Sequence, residues 1–342
     1  MKKEISAVLI ARDEEAVIGR CLRSLTGVDE IVVLDTGSKD RTAEICEGFG
    51  ARVFREDPSE EPFHFGEARN RALAKCQTPW VISIDADEVM RPGWNLKLRK
   101  AIDRRPDLLG FLITFIDHPP GGIRTYTEAK LRVFRADSWT WKYRVHEKLT
   151  PKMSQRPDIG DLTSAVFMEH LPDPEKPRRD RNLALLELCV RESPDHLIAY
   201  WKLGREYMLA KRWEEAIPHL SRYAETASDG PVATSEALSD VGRSLAELGR
   251  VDEALEWFTK ATEVCSDRRE PFFYAALVLI KSCRLEEALK WIARMEGIPE
   301  RKRPGSPYDL LNVWKDEPAR MRRFCEEEIA RAKAAFKALH RE

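Results

Sequence analysis

The 342-residue chain has no apolar run approaching the roughly 18 residues of a membrane span, so no membrane-spanning helix is expected. It lacks an excess of charge of either sign: 57 Lys and Arg against 58 Asp and Glu leave a formal net charge of −1. That balance argues against nucleic acid or an anionic membrane as a partner. Its seven cysteines, at 21, 46, 76, 189, 265, 283 and 325, are odd in number and form no C-x-x-C pair. A disulfide framework and a cysteine-ligated zinc site are thereby disfavoured, and reduced thiols in a cytosol fit best. After Met1-Lys2-Lys3-Glu4 the apolar stretch lasts only about six residues, too few for a secretory signal, and a cytoplasmic protein is expected. No glycine-rich loop follows this first apolar stretch. In its place stands Arg12-Asp13-Glu14-Glu15, an acidic turn hostile to a triphosphate, which disfavours a nucleotidyltransferase.

What is present suffices for two domains, since 43% of the residues are hydrophobic. From the start to about residue 115, strand and helix signals alternate. Strands are expected at Ile5–Ala11, Glu30–Leu34, Ala51–Phe54 and Trp80–Ile84, with helices at Glu14–Leu25, Thr42–Phe49 and Gly66–Cys76 between them. Ser38 and Asp40 stand where the second helix would be capped, and Gly50 where it would stop. This alternation implies a doubly wound, mostly parallel sheet. Further strands at Gly110–Ile116 and Lys130–Phe134, without long helices between them, are expected to complete the sheet. A loop at Pro119-Pro120-Gly121-Gly122 follows the first of these.

After Leu171-Pro172-Asp173-Pro174 helical periodicity takes over and a repeat emerges. Arg212-Trp-Glu-Glu-Ala216, Arg250-Val-Asp-Glu-Ala254 and Arg284-Leu-Glu-Glu-Ala288 recur at steps of 38 and 34 residues. Each is preceded by a small-residue helix signal, at Leu203-Gly204, Val241-Gly242 and Ala275-Ala276. A period near 34 with small residues at helix crossings is that of the tetratricopeptide repeat, so a solenoid is expected, closed by a helix over Glu317–Leu339. Trp201, Tyr207, Trp213, Trp257 and Trp291 fall mostly on repeat packing positions, where core is expected. The basic runs Lys176-x-Arg178-Arg179-x-Arg181 and Arg301-Lys302-Arg303 read as solvated surface, with an anionic acceptor as the alternative.

The chemistry concentrates at Val81-Ile82-Ser83-Ile84-Asp85-Ala86-Asp87-Glu88, where a buried strand runs into two carboxylates spaced i, i+2. Ligands of parallel sheets gather beyond the carboxyl ends of the strands, and hard oxygen ligands there suit Mg²⁺ or Mn²⁺. Leu34-Asp35-Thr36-Gly37-Ser38 offers a second strand-end carboxylate, with Gly37 permitting close approach. Arg69, early in the third helix, can neutralise a diphosphate through bidentate contacts. A third group, Tyr143-Arg144-Val145-His146-Glu147 with Met168-Glu169-His170, gathers carboxylates and imidazoles, one of which could accept a proton from an acceptor, and Asp117-His118 is a weaker acceptor-side candidate.

Leu9 to Glu15, Leu34-Asp35-Thr36-Gly37-Ser38-x-Asp40-x-Thr42, Ala68-Arg69-Asn70 and Asp85-Ala86-Asp87 together resemble the inverting glycosyltransferases of the GT-A fold, family 2, over roughly residues 4–185. With the repeats, the chain is similar to bacterial glycosyltransferases carrying C-terminal tetratricopeptide repeats, a group that includes the peptide S-glycosyltransferases of glycocin biosynthesis. The resemblance implies an α/β GT-A domain (Rossmann-like) over 1–172, a connecting helix over 173–195, and an all-α repeat solenoid with a capping helix over 196–342. It implies that Ala11, Arg12, Glu14, Asp35, Gly37, Arg69, Asp85 and Ala86 bind a UDP-sugar. Arg12 departs from the family's usual Asn. It further implies Mn²⁺ or Mg²⁺ as cofactor on Asp87, Asp85 and His170, with His146 the alternative, and Glu147 as catalytic base. The acceptor would be a peptide, protein or glycan, and the repeats would bind it or form a homodimer. The competing readings are a catalytically inactive adaptor and a transferase acting on lipopolysaccharide or DNA.

Overall fold

Alternation along the first strand, β1 (Ile5–Ala11), decides the layering of the N-terminal unit. Ile5, Ala7, Leu9 and Ala11 point to one face of the sheet, into a core shared with helices α1 (Ile18–Ser24) and α4 (Trp94–Arg104). Val8 points to the other, where it meets helix α3 (Phe65–Leu73) and Trp139. Both faces are covered, so β2 (Glu30–Asp35) and β4 (Trp80–Ser83) are almost wholly buried. The computed structural model describes residues 4–56, 62–118, 125–173, 175, 181–226, 230–299, 313 and 315–339, with backbone alone at 181–182 and 336–339. The loop at 119–122 and most of the two basic runs lie outside the described residues, and at Arg181 only the backbone is described. The chain divides into two units, residues 1–179 and 180–342.

The sheet of the first unit is mixed. Strands β3 (Arg52–Arg55), β2, β1 and β4 are parallel neighbours, with helix α2 (Thr42–Gly48) between β2 and β3 in sequence. Beyond β4 the direction reverses: β7 (Tyr126–Arg135) runs antiparallel to both β4 and β6 (Gly110–Asp117). Strand β11 (Phe167–His170) lies between β6, to which it is parallel, and the short β5 (Glu88–Met90), to which it is antiparallel. A small ladder of β8 (Trp139–Lys142) and β9 (Lys148–Pro151) stands apart, and β10 (Ile159–Asp161) pairs with β6. The first helix is shorter than its apolar pattern suggests. Residues 15–17 form a turn, because the preceding loop is tied sideways to the β2–α2 loop.

The second unit is helical throughout its described residues. It runs α5 (Arg181–Glu192), α6 (Leu197–Leu209), α7 (Trp213–Thr226), α8 (Pro231–Glu247), α9 (Val251–Val264), α10 (Glu270–Lys281), α11 (Leu285–Glu296) and α12 (Glu317–Leu339). The repeat rests on close approach. A side chain at Gly204 would strike Leu220, one at Gly242 would strike Phe258, and Ala216, Ala254 and Ala288 are fully buried at the equivalent crossings. Arg212, Arg250 and Arg284 each pair with the glutamate three residues on. The turns between paired helices also repeat: Lys211, Gly249 and Cys283, spaced by 38 and 34, all adopt left-handed backbone. Trp201 and Tyr207 are buried, while Trp213, Trp257 and Trp291 are half-buried against their neighbours. No helix of the described residues is long and apolar enough to cross a membrane.

Candidate active site

Asp85 follows β4 at the carboxyl edge of the sheet, where the strand stops pairing with β1 and the chain turns through Ala86 and Asp87 into β5. The turn is closed by the Glu88 amide donating to the Asp85 carbonyl at 3.0 Å. Around the Asp85 carboxylate stand two arginines from different elements. Arg69 of α3 donates to Oδ1 at 2.7 Å, and Arg132 of β7 lies 3.5 Å from Oδ2. Burial alone would raise the Asp85 pKa, but the two guanidiniums override it and hold the group well below the usual carboxylate range. Arg69 also donates through Nε to Glu147 and stacks on the Trp141 ring at 5.1 Å, so one guanidinium joins the strand-end aspartate to the 143–147 loop. That loop is pressed onto the start of α3. The Phe65 amide donates to the Arg144 carbonyl at 2.8 Å, and Gly66 leaves no room for a Cβ beside the Tyr143 carbonyl.

Asp87 faces His170 instead. In the β6–β11–β5 ladder His170 pairs with Asp117 on one side and Glu88 on the other, which sets its neighbours by register alone. Its Nδ1 lies 2.6 Å from Asp117 Oδ1 and its Nε2 3.1 Å from Asp87 Oδ2, while its ring stacks on Phe115. Burial would lower the imidazole pKa, yet the hydrogen bonds and charges of the two aspartates raise it to about 9. Glu88 is only 2% exposed; burial pushes its pKa up to about 7 against the opposing charge of Arg132.

The other sequence candidates form a neighbouring wall. Ala11 accepts the Thr36 amide at 2.9 Å, in register with Asp35 across β1 and β2. Asp35 is turned into its own loop, where Oδ1 accepts from the Gly37 and Ser38 amides at 3.2 and 2.8 Å; the Gly37 φ of +93° makes this turn possible. Ser38 and Asp40 do not cap α2 in the expected way. Ser38 Oγ accepts from the Asp13 amide, and Asp40 accepts from the Glu15 and Thr42 amides, so both latch the β1–α1 loop against the β2–α2 loop. The Glu14 amide donates to Thr42 Oγ1 at 2.7 Å within the same zipper. Arg12 reaches within 4.0 Å of Asp13, and its Nε is buried without a hydrogen-bond partner among the described residues. His146 sits in the 143–147 loop with a φ of +51°, and Ala86 is buried in the turn between the two aspartates. His118 follows β6, its backbone amide donating to the His170 carbonyl at 3.2 Å and its imidazole lying near Thr125 and Glu169.

The geometry therefore brings Arg69, Asp85 and Glu147 into one ion-pair chain and Asp87, His170 and Asp117 into another. Arg132, Glu88 and the orienting role of Asp117 did not emerge from the sequence. The available signal was an arginine in a strand whose neighbours Val133 and Phe134 are fully buried. Among the described residues no group of three or more His, Cys, Asp or Glu side chains is disposed to hold a metal. Asp87 and His170 are placed as a pair of candidate ligands, and Asp117 on the far nitrogen fits the carboxylate that commonly backs a metal-bound histidine.

Residues 6–163 match the family model for glycosyl transferase family 2, and residues 195–267 that for the tetratricopeptide repeat. The lipopolysaccharide core biosynthesis glycosyltransferase LpsC of Rhizobium meliloti is 28% identical over 183 residues, covering 50% of this chain and 64% of that protein. A glucosyl-3-phosphoglycerate synthase of Mycolicibacterium paratuberculosis is 38% identical over 94 residues, 25% of this chain and 29% of that protein. A TPR repeat-containing protein of Synechococcus elongatus is 38% identical over 112 residues, 32% of this chain and 27% of its own. The chain thus spans less than two thirds of each of these relatives. The first unit, with its two aspartates at the sheet edge, is a glycosyl transferase family 2 domain, and the chain continues from it into tetratricopeptide repeats.

Proposed function

We propose that the chain transfers a sugar from a UDP-sugar to a peptide, protein or glycan acceptor, with inversion at the anomeric carbon. The observation that carries this reading is the Asp117–His170–Asp87 chain at the sheet edge. Asp117 on Nδ1 orients the ring so that Nε2 faces Asp87, and a cation that displaced the Nε2 proton would find both groups aimed at it. Asp87 and His170 would hold Mn²⁺ or Mg²⁺, whose charge favours departure of the diphosphate. Asp85, clasped by Arg69 and Arg132, would face the ribose and diphosphate, and the ends of β1 and β2 with the loops after them, carrying Ala11, Arg12, Glu14, Asp35 and Gly37, would receive the nucleoside. The bond from the anomeric carbon to the diphosphate oxygen breaks as the acceptor atom bonds from the opposite face, and the electron pair leaves on the diphosphate. Glu147 takes the acceptor's proton, its carboxylate oriented by Arg69. The repeats would present the acceptor or a second copy of the chain, and a cytoplasmic setting fits the cysteine pattern. The likeness to LpsC favours a lipopolysaccharide core glycan as a second acceptor class. The test is UDP release from a panel of UDP-sugars with Mn²⁺. The wild type should turn over, and Asp87→Ala should fall about 100-fold or more with an unchanged melting temperature. A wild type that releases no UDP from any donor sinks the proposal.

A further inference from the structure

Asp85 is held by more than Arg69. Glu88 Oε2 accepts the backbone N–H of Asp85 at 2.8 Å, and its Oε1 accepts from Arg132 at 2.7 Å. The same Arg132 nitrogen lies 3.5 Å from Asp85 Oδ2. These contacts close a ring: Asp85 amide, Glu88 carboxylate, Arg132 guanidinium, Asp85 carboxylate. With Arg69 on Oδ1, each carboxylate oxygen of Asp85 faces a guanidinium from a different strand or helix. Arg132 and Glu88 are 12% and 2% exposed at their side chains, so a carboxylate buried there without the arginine would be left uncompensated. The ring is anchored on two sides, by β7 carrying Arg132 and by the β5–β11 ladder carrying Glu88 opposite His170.

Resting on the donor reading above, we infer that Arg132 and Glu88 are positioning residues that fix the Asp85 carboxylate toward the sugar nucleotide. Neither touches the reacting atoms; both act through Asp85. The ring also keeps the Asp85–Glu88 turn in one conformation, so that Asp85 and Asp87 diverge, one toward the arginines and the other toward His170.

The test is a double-mutant cycle on the full chain, read by calorimetric titration with UDP and Mn²⁺. If the ring works through Asp85, Arg132→Met should weaken binding about tenfold beside Asp85 but less than about twofold in an Asp85→Ala background, since coupled residues are non-additive. Arg132→Lys keeps the charge on a single donor nitrogen, and one nitrogen is what the ring uses, so it should restore binding to within about threefold. Should Arg132→Met fail to fold, Glu88→Gln carries the same cycle, with an expected loss of about fivefold that again vanishes beside Asp85→Ala. Equal losses in both backgrounds, as a merely structural role would give, overturn the inference, and so does the absence of any loss. A wild type that binds no nucleoside diphosphate overturns the donor reading itself and this inference with it.

Discussion

The two units bury the same chemistry and use it differently. In the sheet unit Glu88 lies beside Arg132 and Asp85; in the repeat unit Glu236 lies beside Arg268 and Asp240. Both glutamates are pushed up to about 7, by burial first, with an aspartate adding and an arginine opposing. A shifted pKa therefore does not by itself mark a site. What separates the two is where the neighbouring charges lead. Asp240 is fully buried and is closed off by Trp201 Nε1 at 3.1 Å and Arg243 at 2.8 Å, within packed helices. Asp85 and Asp87 stand in a turn at a sheet edge, flanked by loops in which Asp13, Tyr143 and His146 hold left-handed backbone. Partly exposed carboxylates in a sheet-edge turn can meet a ligand, whereas charge enclosed by regular helix is satisfied within the core.

Substitutions can sharpen that contrast. The largest effect on stability should come from Gly242→Val, which drives a side chain into Phe258 and should cost about 3 kcal/mol in a thermal melt. Its UDP and Mn²⁺ binding should survive below the lowered transition. If donor binding is lost at temperatures where the chain remains folded, the two units are not separable as described. Asp117→Asn should do the reverse, weakening Mn²⁺-dependent UDP binding about 10- to 100-fold with little change in melting, because the carboxylate acts on His170 rather than on the core.

Glu236 yields a smaller, pH-dependent effect. Its folded pKa of about 7 lies above the ordinary 4.5, so the folded state keeps a proton that the unfolded chain has released between those values. Stability conferred by this group is full below about pH 4.5, declines as pH rises toward 7 and is gone above it. Glu236→Gln should flatten that decline in denaturant titrations across pH 4.5–7.5, and an unchanged slope would remove Glu236 as its cause. The smallest effect is a gain. Lys211 adopts the left-handed turn that Gly249 occupies one repeat later, so Lys211→Gly should stabilise by about 0.5–1 kcal/mol, measured by chemical denaturation. A loss of stability would mean that Lys211 contributes contacts outweighing its backbone strain.

The parts of this architecture legible in the sequence are those written in local order. The strand–helix alternation, the paired aspartates after a buried strand and the repeat spacing all depend on residues close together along the chain. Arg69 was legible for the same reason, as a helix start aimed at the sheet edge. Arg132 and Glu88 were not, because their pairing depends on β7 inserting antiparallel between β4 and β6, a long-range choice without a local signature. Ser38 and Asp40 look like caps because their spacing is that of caps; only the approach of the Asp13–Glu15 backbone diverts them. Of the three repeat turns, glycine marks one alone, so composition could not reveal that all three share a conformation.

The position of His170 between Asp117 and Glu88 is a property of strand pairing. Side chains alternate along a strand, so deleting one residue from Phe167–Met168–Glu169 would swing the imidazole to the opposite face of the sheet while leaving every aspartate in place. Evolution can therefore silence such an enzyme without touching any residue of its acidic signature.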